Sequence, residues 1–241
     1  MKLVLFDIDG TILLTAGAGK RAIHRALHEV FGGTGPEGHR FDGKTDPQIV
    51  RELMRIVGHS DEHIDARMDA LLEKYVAYLH EELRAGSDGV EVMPGITELL
   101  NALRGRDDVI LGLLTGNLRA GAAAKLEAAG IDPGQFQIGA YGSDHETRAE
   151  LPAVAQRRAR DELGLDIAGE DVVVIGDTPA DIACGRGIGA RAIGVATGHY
   201  SVDELRQHRP SSVFEDLSDT DDVVRAILAV PAPAREPLVP P

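Results

Sequence analysis

The chain has 241 residues, 43% of them hydrophobic, and its 25 Lys and Arg against 39 Asp and Glu give a formal charge of −14. A composition this apolar excludes intrinsic disorder, and an acidic excess with no Lys/Arg run longer than two residues excludes the cationic face that a nucleic-acid binder needs. The single cysteine, Cys184, excludes a disulfide framework and a cysteine zinc site; with neither a signal-peptide pattern nor a run of about 18 apolar residues, a soluble cytoplasmic protein without nucleic-acid or membrane partners is expected.

In chain order, Lys2–Phe6 reads as a strand buried on both faces, because its apolar residues are consecutive rather than alternating. It runs into Phe6-Asp7-Ile8-Asp9-Gly10-Thr11. From Thr15 to Val90 the pattern turns helical. Ala22, Ile23, Ala26, Leu27 and Val30 recur at helical spacing, as do Ile49, Val50, Leu53, Met54 and Val57, and then Met68, Leu71, Leu72, Val76 and Leu79. The run Gly32-Gly33-Thr34-Gly35-Pro36 breaks this region, and Met93-Pro94-Gly95 closes it. A helix over 95–103 leads to a strand over Val109–Thr115, a helix over 118–129, a strand over 137–140 and a helix over 150–163. Then follow a strand over Val172–Gly176, a helix over 179–187, a strand over 190–195, a further strand over Ser212–Phe214 and a helix over 219–230. Short buried strands alternating with helices predict an α/β fold, a Rossmann-like doubly wound parallel sheet. The organisation expected is an α/β core over 1–14 and 92–230, an all-helical cap over 15–91, and a flexible tail over 231–241, where prolines forbid regular structure.

Three of these strands end in polar clusters. After the first, Asp7 and Asp9 are two residues apart, which in extended chain places both on one side. The second enters Thr115-Gly116-Asn117, where a hydroxyl and the free amides of a helix start suit phosphate oxygens, with Asn117 as N-cap. The third enters Gly176-Asp177-Thr178-Pro179-Ala180-Asp181. Taken singly, each is an ordinary turn or cap, and Asp181 is a first-turn acid that suits the helix dipole. Together at one sheet edge, where open α/β sheets bind their ligands, they point to function. Clustered carboxylates repel one another, so Asp7, Asp9, Asp177 and Asp181 call for a hard divalent cation. With oxygen ligands and no nearby His or Cys, Mg²⁺ is expected.

This ordered set resembles the haloacid dehalogenase superfamily, of the phosphoglycolate phosphatase-like kind with a helical cap inserted after the first strand, over nearly the whole chain except the Pro-rich tail. The resemblance implies an Mg²⁺-dependent phosphatase acting on a small phosphorylated metabolite. Asp7 would be the nucleophile that forms an aspartyl-phosphate, and Asp9 the acid that protonates the leaving oxygen and then activates water. The Asp7 carboxylate, the Asp9 carbonyl and the Asp177 carboxylate would hold Mg²⁺, with Asp181 as a further ligand or water holder. Thr115 and the Gly116 amide would hold the phosphoryl group, with Gly10, Thr11, Asn117 and Lys44 around the substrate. The family's Lys or Arg before the last motif is assigned to Arg148, because the chain departs from the usual Lys-Pro pair there. Arg157, Arg158 and Arg160 are its rivals for that place, but they fall inside a helix and read as a solvated face. Dehalogenases of the family lack the second acid, so Asp9 favours phosphoryl chemistry.

Substrate choice is expected from the cap, through the loop Asp42-Gly43-Lys44-Thr45-Asp46, while Gly17-Ala18-Gly19-Lys20-Arg21, near the first linker, reads as the hinge or as a source of further cations. The plainer alternatives are that Asp46 caps a helix starting at Pro47 and that Lys20 and Arg21 are solvated. A β-phosphoglucomutase-type mutase would need Lys44 and Arg40 to bind a second phosphate, a phosphonate hydrolase would need Lys44 for imine formation, and a non-catalytic binding module would not need Asp9. Cys184 reads as a packed small residue, and His199-Tyr200 either as shaping the cap entrance or as plain loop.

Overall fold

The computed structural model describes residues 1–86 and 89–229. The tail expected over 231–241 lies outside the described residues, as does the last residue of the helix expected over 219–230.

Lys2–Phe6 (β1), Val109–Thr115 (β4), Ile138–Tyr141 (β5), Val172–Gly176 (β6), Arg191–Val195 (β7) and Ser212–Phe214 (β8) form one six-stranded sheet in the order β5-β4-β1-β6-β7-β8. Every pairing is parallel, with β1 central between β4 and β6. All residues of β1, β4, β5 and β6 are buried, as their unbroken apolar runs require when helices cover both faces. One face packs Val4, Phe6, Leu111, Leu113, Val173 and Ile175 against Ile96–Leu103 (α4) and Thr220–Leu228 (α9). The other packs Leu3, Leu5, Ile110, Leu114, Val172 and Val174 against Leu151–Leu163 (α6). Because β1 joins β4 on one side and β6 on the other, the order reverses beside β1, and the crevice at these strands' carboxyl ends is where the fold can hold a ligand.

The helical stretch comprises Ala18–Phe31 (α1), Asp46–Ile56 (α2) and Asp61–Ala85 (α3). Their apolar stripes meet in one cluster that includes Ile23, Leu27, Leu53, Leu71 and Leu79, together with Leu118 and Ala124 of the sheet-bearing part. On α3 the buried stripe runs through Tyr75, while Leu72 and Val76 are half-buried. A short antiparallel ribbon, Leu13–Leu14 (β2) with Glu91–Val92 (β3), ties the two ends of this stretch together. Two-residue strands leave no periodicity to read in sequence, and neither does the short helix Val202–Gln207 (α8).

Element ends moved where caps decide them. The helix expected over 179–187 stops as Pro179–Cys184 (α7) and continues as a 3-10 turn. The helix expected over 118–129 is Arg119–Ala128 (α5), and α6 is preceded by a 3-10 turn, Arg148–Glu150. Arg158 is not a solvated residue: it is half-buried and grips Asp144 at 2.6 and 2.7 Å, whereas Arg157 and Arg160 are exposed.

Candidate active site

The ladder between β1 and β6 extends one residue past the strand, since the Asp7 N–H donates to the Ile175 carbonyl at 2.9 Å. This fixes Asp7 as a buried carboxylate at the centre of the sheet edge. Arg148 is buried beside it, with Nη2 2.9 Å from Asp7 Oδ1; the same nitrogen pairs with Asp181 and donates to the Leu114 carbonyl at 3.3 Å. Its Nε has no hydrogen-bond partner among the described residues. The buried guanidinium is held fully cationic by Asp181 and Asp7, whose attraction outweighs its desolvation.

The chain then turns at Gly10, whose φ of 86° suits glycine, and where a Cβ would stand 2.5 Å from Asp177 Oδ2. Asp9 points differently from Asp7. Its half-exposed carboxylate accepts from Lys125 Nζ at 2.7 Å on both oxygens and from Asn117 Nδ2 at 2.7 Å. Asn117 is therefore not the N-cap expected from sequence. The residue flanking α5 is Leu118, with no side-chain cap bond, and the Asn117 amide serves Asp9 and Thr115 Oγ1 instead.

Thr115 is fully buried at the tip of β4. Gly116 follows in contact with the helical stretch: a Cβ there would meet the Lys44 carbonyl oxygen at 1.9 Å, and the Gly116 carbonyl accepts from the Asp46 N–H at 2.8 Å. Asp46 does not cap a helix, because Thr45 is the N-cap and accepts from Gln48 N. Asp46 is instead buried against the sheet-bearing part, accepting from the Leu118 N–H at 2.8 Å and from the Tyr75 hydroxyl at 3.4 Å. Burial raises its pKa to about 6.

At the end of β6, Asp177 is buried and accepts from Thr11 Oγ1 at 3.1 Å. The Thr11 hydroxyl expected near the substrate is thus committed to Asp177. Asp181 closes a capping box with Thr178, its Oδ2 accepting from Thr178 N at 3.0 Å and Oγ1 at 2.6 Å. Burial first, then the neighbouring acids, push Asp7 and Asp177 above the ordinary carboxylate range, although Arg148 restrains Asp7. Asp7, Asp177 and Asp181 each offer an oxygen within 4.8 Å of the others. A buried, all-oxygen set whose members repel fits a hard divalent cation, which would relieve the repulsion.

Asp7, Asp9, Gly10, Thr115, Gly116, Asn117, Arg148 and Asp177 border a cavity of about 420 Å³, together with Lys20, Arg40, Lys44, Asp46 and Tyr75 of the helical stretch; Asp181, fully buried, is not part of the lining. The expected substrate-facing cations are already paired. Lys44 Nζ donates to Glu52 and contacts His39 at 3.2 Å, Arg40 bonds Asp42 at 2.9 Å, and Lys20 donates to the Glu37 carbonyl at 2.9 Å. Arg21 bridges Glu82 at 2.6 Å. His199 borders the cavity and is largely exposed, 3.9 Å from Asp42. Cys184 is packed and buried, which pushes its thiol up to about 12.

One site residue left no sequence signal. Lys125 lies inside an alanine-rich helix, where a lysine ordinarily faces water; here it is buried at the cavity wall. Only its distance in sequence from Asp9 hid the pairing.

A family model described as haloacid dehalogenase-like hydrolase matches residues 1–189. Among curated proteins, the probable phosphatase IndB of Dickeya dadantii is 29% identical over 230 residues, covering 94% of both chains. A 5'-nucleotidase of Pseudomonas aeruginosa is 27% identical, covering 92% of this chain and 95% of its own. Among solved structures, a hydrolase from Pseudomonas syringae superposes with a TM-score of 0.71 at 22% identity, over 95% of this chain and all of the other, a likeness of fold.

Proposed function

This chain belongs to the haloacid dehalogenase-like hydrolases, and from that premise we propose that it is a phosphatase that hydrolyses a small phosphomonoester through an aspartyl-phosphate on Asp7, with Mg²⁺ as cofactor. The observation that carries the reading is the convergence of Asp7, Thr115, Arg148 and Asp177 on one cavity at the carboxyl ends of three adjacent strands. The names of the relatives, a probable phosphatase and a 5'-nucleotidase, support phosphoryl chemistry.

In this reading an Asp7 oxygen attacks phosphorus and the bond to the leaving oxygen breaks, while Asp9 gives that oxygen a proton. Asp9 then takes a proton from water as the water attacks phosphorus, which frees Asp7. Arg148 offsets charge at Asp7, and Thr115 with the Gly116 amide holds the phosphoryl oxygens. The carboxylates of Asp7 and Asp177 with the Asp9 carbonyl would hold Mg²⁺. Asp181, whose oxygens also serve Arg148 and Thr178, would be a further ligand or hold a water of the ion. When bound, the ion supplies positive charge against the phosphate and the transition state. The stretch over 15–91 acts as a cap, whose loop 42–46 closes the cavity from above and excludes water.

The mutase and phosphonate hydrolase readings are less well supported, since Arg40 and Lys44 are held by Asp42 and Glu52. Hydrolysis of p-nitrophenyl phosphate with added Mg²⁺, lost with EDTA and in Asp7→Asn, is the expected result. Activity that survives both treatments contradicts the assignment.

A further inference from the structure

Asp9 sits in a half-exposed turn, where a two-torsion side chain rotates freely unless something holds it. Lys125 holds it. The Lys125 side chain is only 5% exposed, and its Nζ lies 2.7 Å from Asp9 Oδ1, Asp9 Oδ2 and Asn117 Oδ1. An ammonium has three N–H donors, so the donors are fully used. Asn117 turns its two amide hydrogens to Asp9 Oδ2 and Thr115 Oγ1 at 2.7 and 2.8 Å. One hydrogen-bonded network thus joins Lys125 of α5, Asn117, the accepting Asp9 carboxylate and the accepting Thr115 hydroxyl at the tip of β4.

Gly19 of α1 and the Tyr75 hydroxyl flank this lysine; a Cβ on Gly19 would lie in ordinary contact with both, 3.5 Å from Lys125 Nζ and 3.7 Å from the hydroxyl. Along α5, a Cβ at Gly121 would stand 3.2 Å from Leu79 of α3, so the helix carrying the lysine is packed closely. A buried lysine left without a partner is costly. Its place is therefore explained by the carboxylate it grips.

We propose that Lys125 is a positioning residue for proton transfer: with Asn117 it fixes the plane of the Asp9 carboxyl, so that Oδ1, which among the described residues accepts from Lys125 alone, meets the leaving oxygen of the substrate while Oδ2 keeps the donors of both Lys125 and Asn117. The inference rests on the acid–base role given to Asp9 above.

The test compares kcat/KM for p-nitrophenyl phosphate, whose leaving group needs no proton, with benzyl phosphate, of similar size, whose leaving alkoxide does. For kcat/KM only steps through phosphoryl transfer to Asp7 count. Lys125→Met is expected to lose about 100-fold on benzyl phosphate, the scale of a general acid's contribution, and only a few-fold on p-nitrophenyl phosphate. Asp9→Asn should show the same selectivity more strongly. Equal losses on both substrates in Lys125→Met, with selectivity retained in Asp9→Asn, overturn the positioning role alone; equal losses in Asp9→Asn overturn the acid–base reading as well. Should Lys125→Met not fold, Lys125→Gln, which keeps one donor toward Asp9, is read in the same way and should show a smaller selective loss. If neither variant folds, the lysine is structural and the proposal fails.

Discussion

Arg148 Nη2 stands 2.9 Å from Asp7 Oδ1 and also bonds Asp181, so one buried guanidinium ties the tip of β1 to the first turn of α7. The arrangement sets two acids from distant parts of the chain around a single fixed charge. Truncating the charge leaves both of them buried without their partner.

Arg148→Met is therefore expected to destabilise the fold by about 3–5 kcal/mol, the cost of breaking a buried pair from one side, measured by urea unfolding. Arg148→Lys keeps charge but loses the fork that spans two acids, and should fall between the two in both stability and phosphatase rate.

Asp46 links pH to stability. Its carboxyl, at about 6 against 3.8 in an exposed setting, holds its proton more tightly when folded. Stability is then greatest below the unfolded value and falls as pH rises through about 4 to 6. At about 1.4 kcal/mol per pK unit, the loss amounts to about 3 kcal/mol. Asp46→Asn can still accept from Leu118 N and should remove this part of the pH slope. Parallel slopes for the two proteins in urea titrations between pH 4 and 7 would contradict it.

Gly116→Ala places a methyl group 1.9 Å from the Lys44 carbonyl oxygen, where backbone must yield. The contact of loop 42–46 with the sheet edge should open. Faster proteolysis within 40–46 and a loss of kcat/KM are expected, while the remaining sheet core, read by far-UV circular dichroism, stays folded.

Asp177→Asn removes one of the carboxylates whose burial and mutual repulsion raise their pKa values. Without divalent cation the variant should melt no lower than the wild type. Addition of Mg²⁺ should raise the melting temperature of the wild type and leave the variant unmoved, because only a bound ion stabilises the folded state. An equal rise in both proteins would contradict the ligand role.

The six-stranded sheet was legible because strands buried on both faces carry consecutive apolar residues, as β1, β4 and β6 do. Arg148 was legible from its place just before α6. Asn117 misled because Thr-Gly-Asn is also a local capping pattern, and nothing local says that its amide reaches Asp9. Lys125 was hidden for the same reason: a lysine among alanines reads as solvated until β1 and α5 are set side by side. The close approach of Gly116 to Lys44 likewise exists only once α2 has docked. What the sequence withheld was contact between distant segments, which periodicity does not encode.

Hydrolysis by the proposed route passes through a covalent phosphoryl intermediate on Asp7. The decisive measurement is to acid-quench Asp9→Asn during turnover of p-nitrophenyl phosphate, whose leaving group needs no proton, and to map the peptides by mass spectrometry. One added phosphoryl group is expected on the peptide containing Asp7, removed by hydroxylamine and absent from Asp7→Asn. An active enzyme that never carries the phosphoryl group on Asp7, even when its second step is blocked, would contradict it.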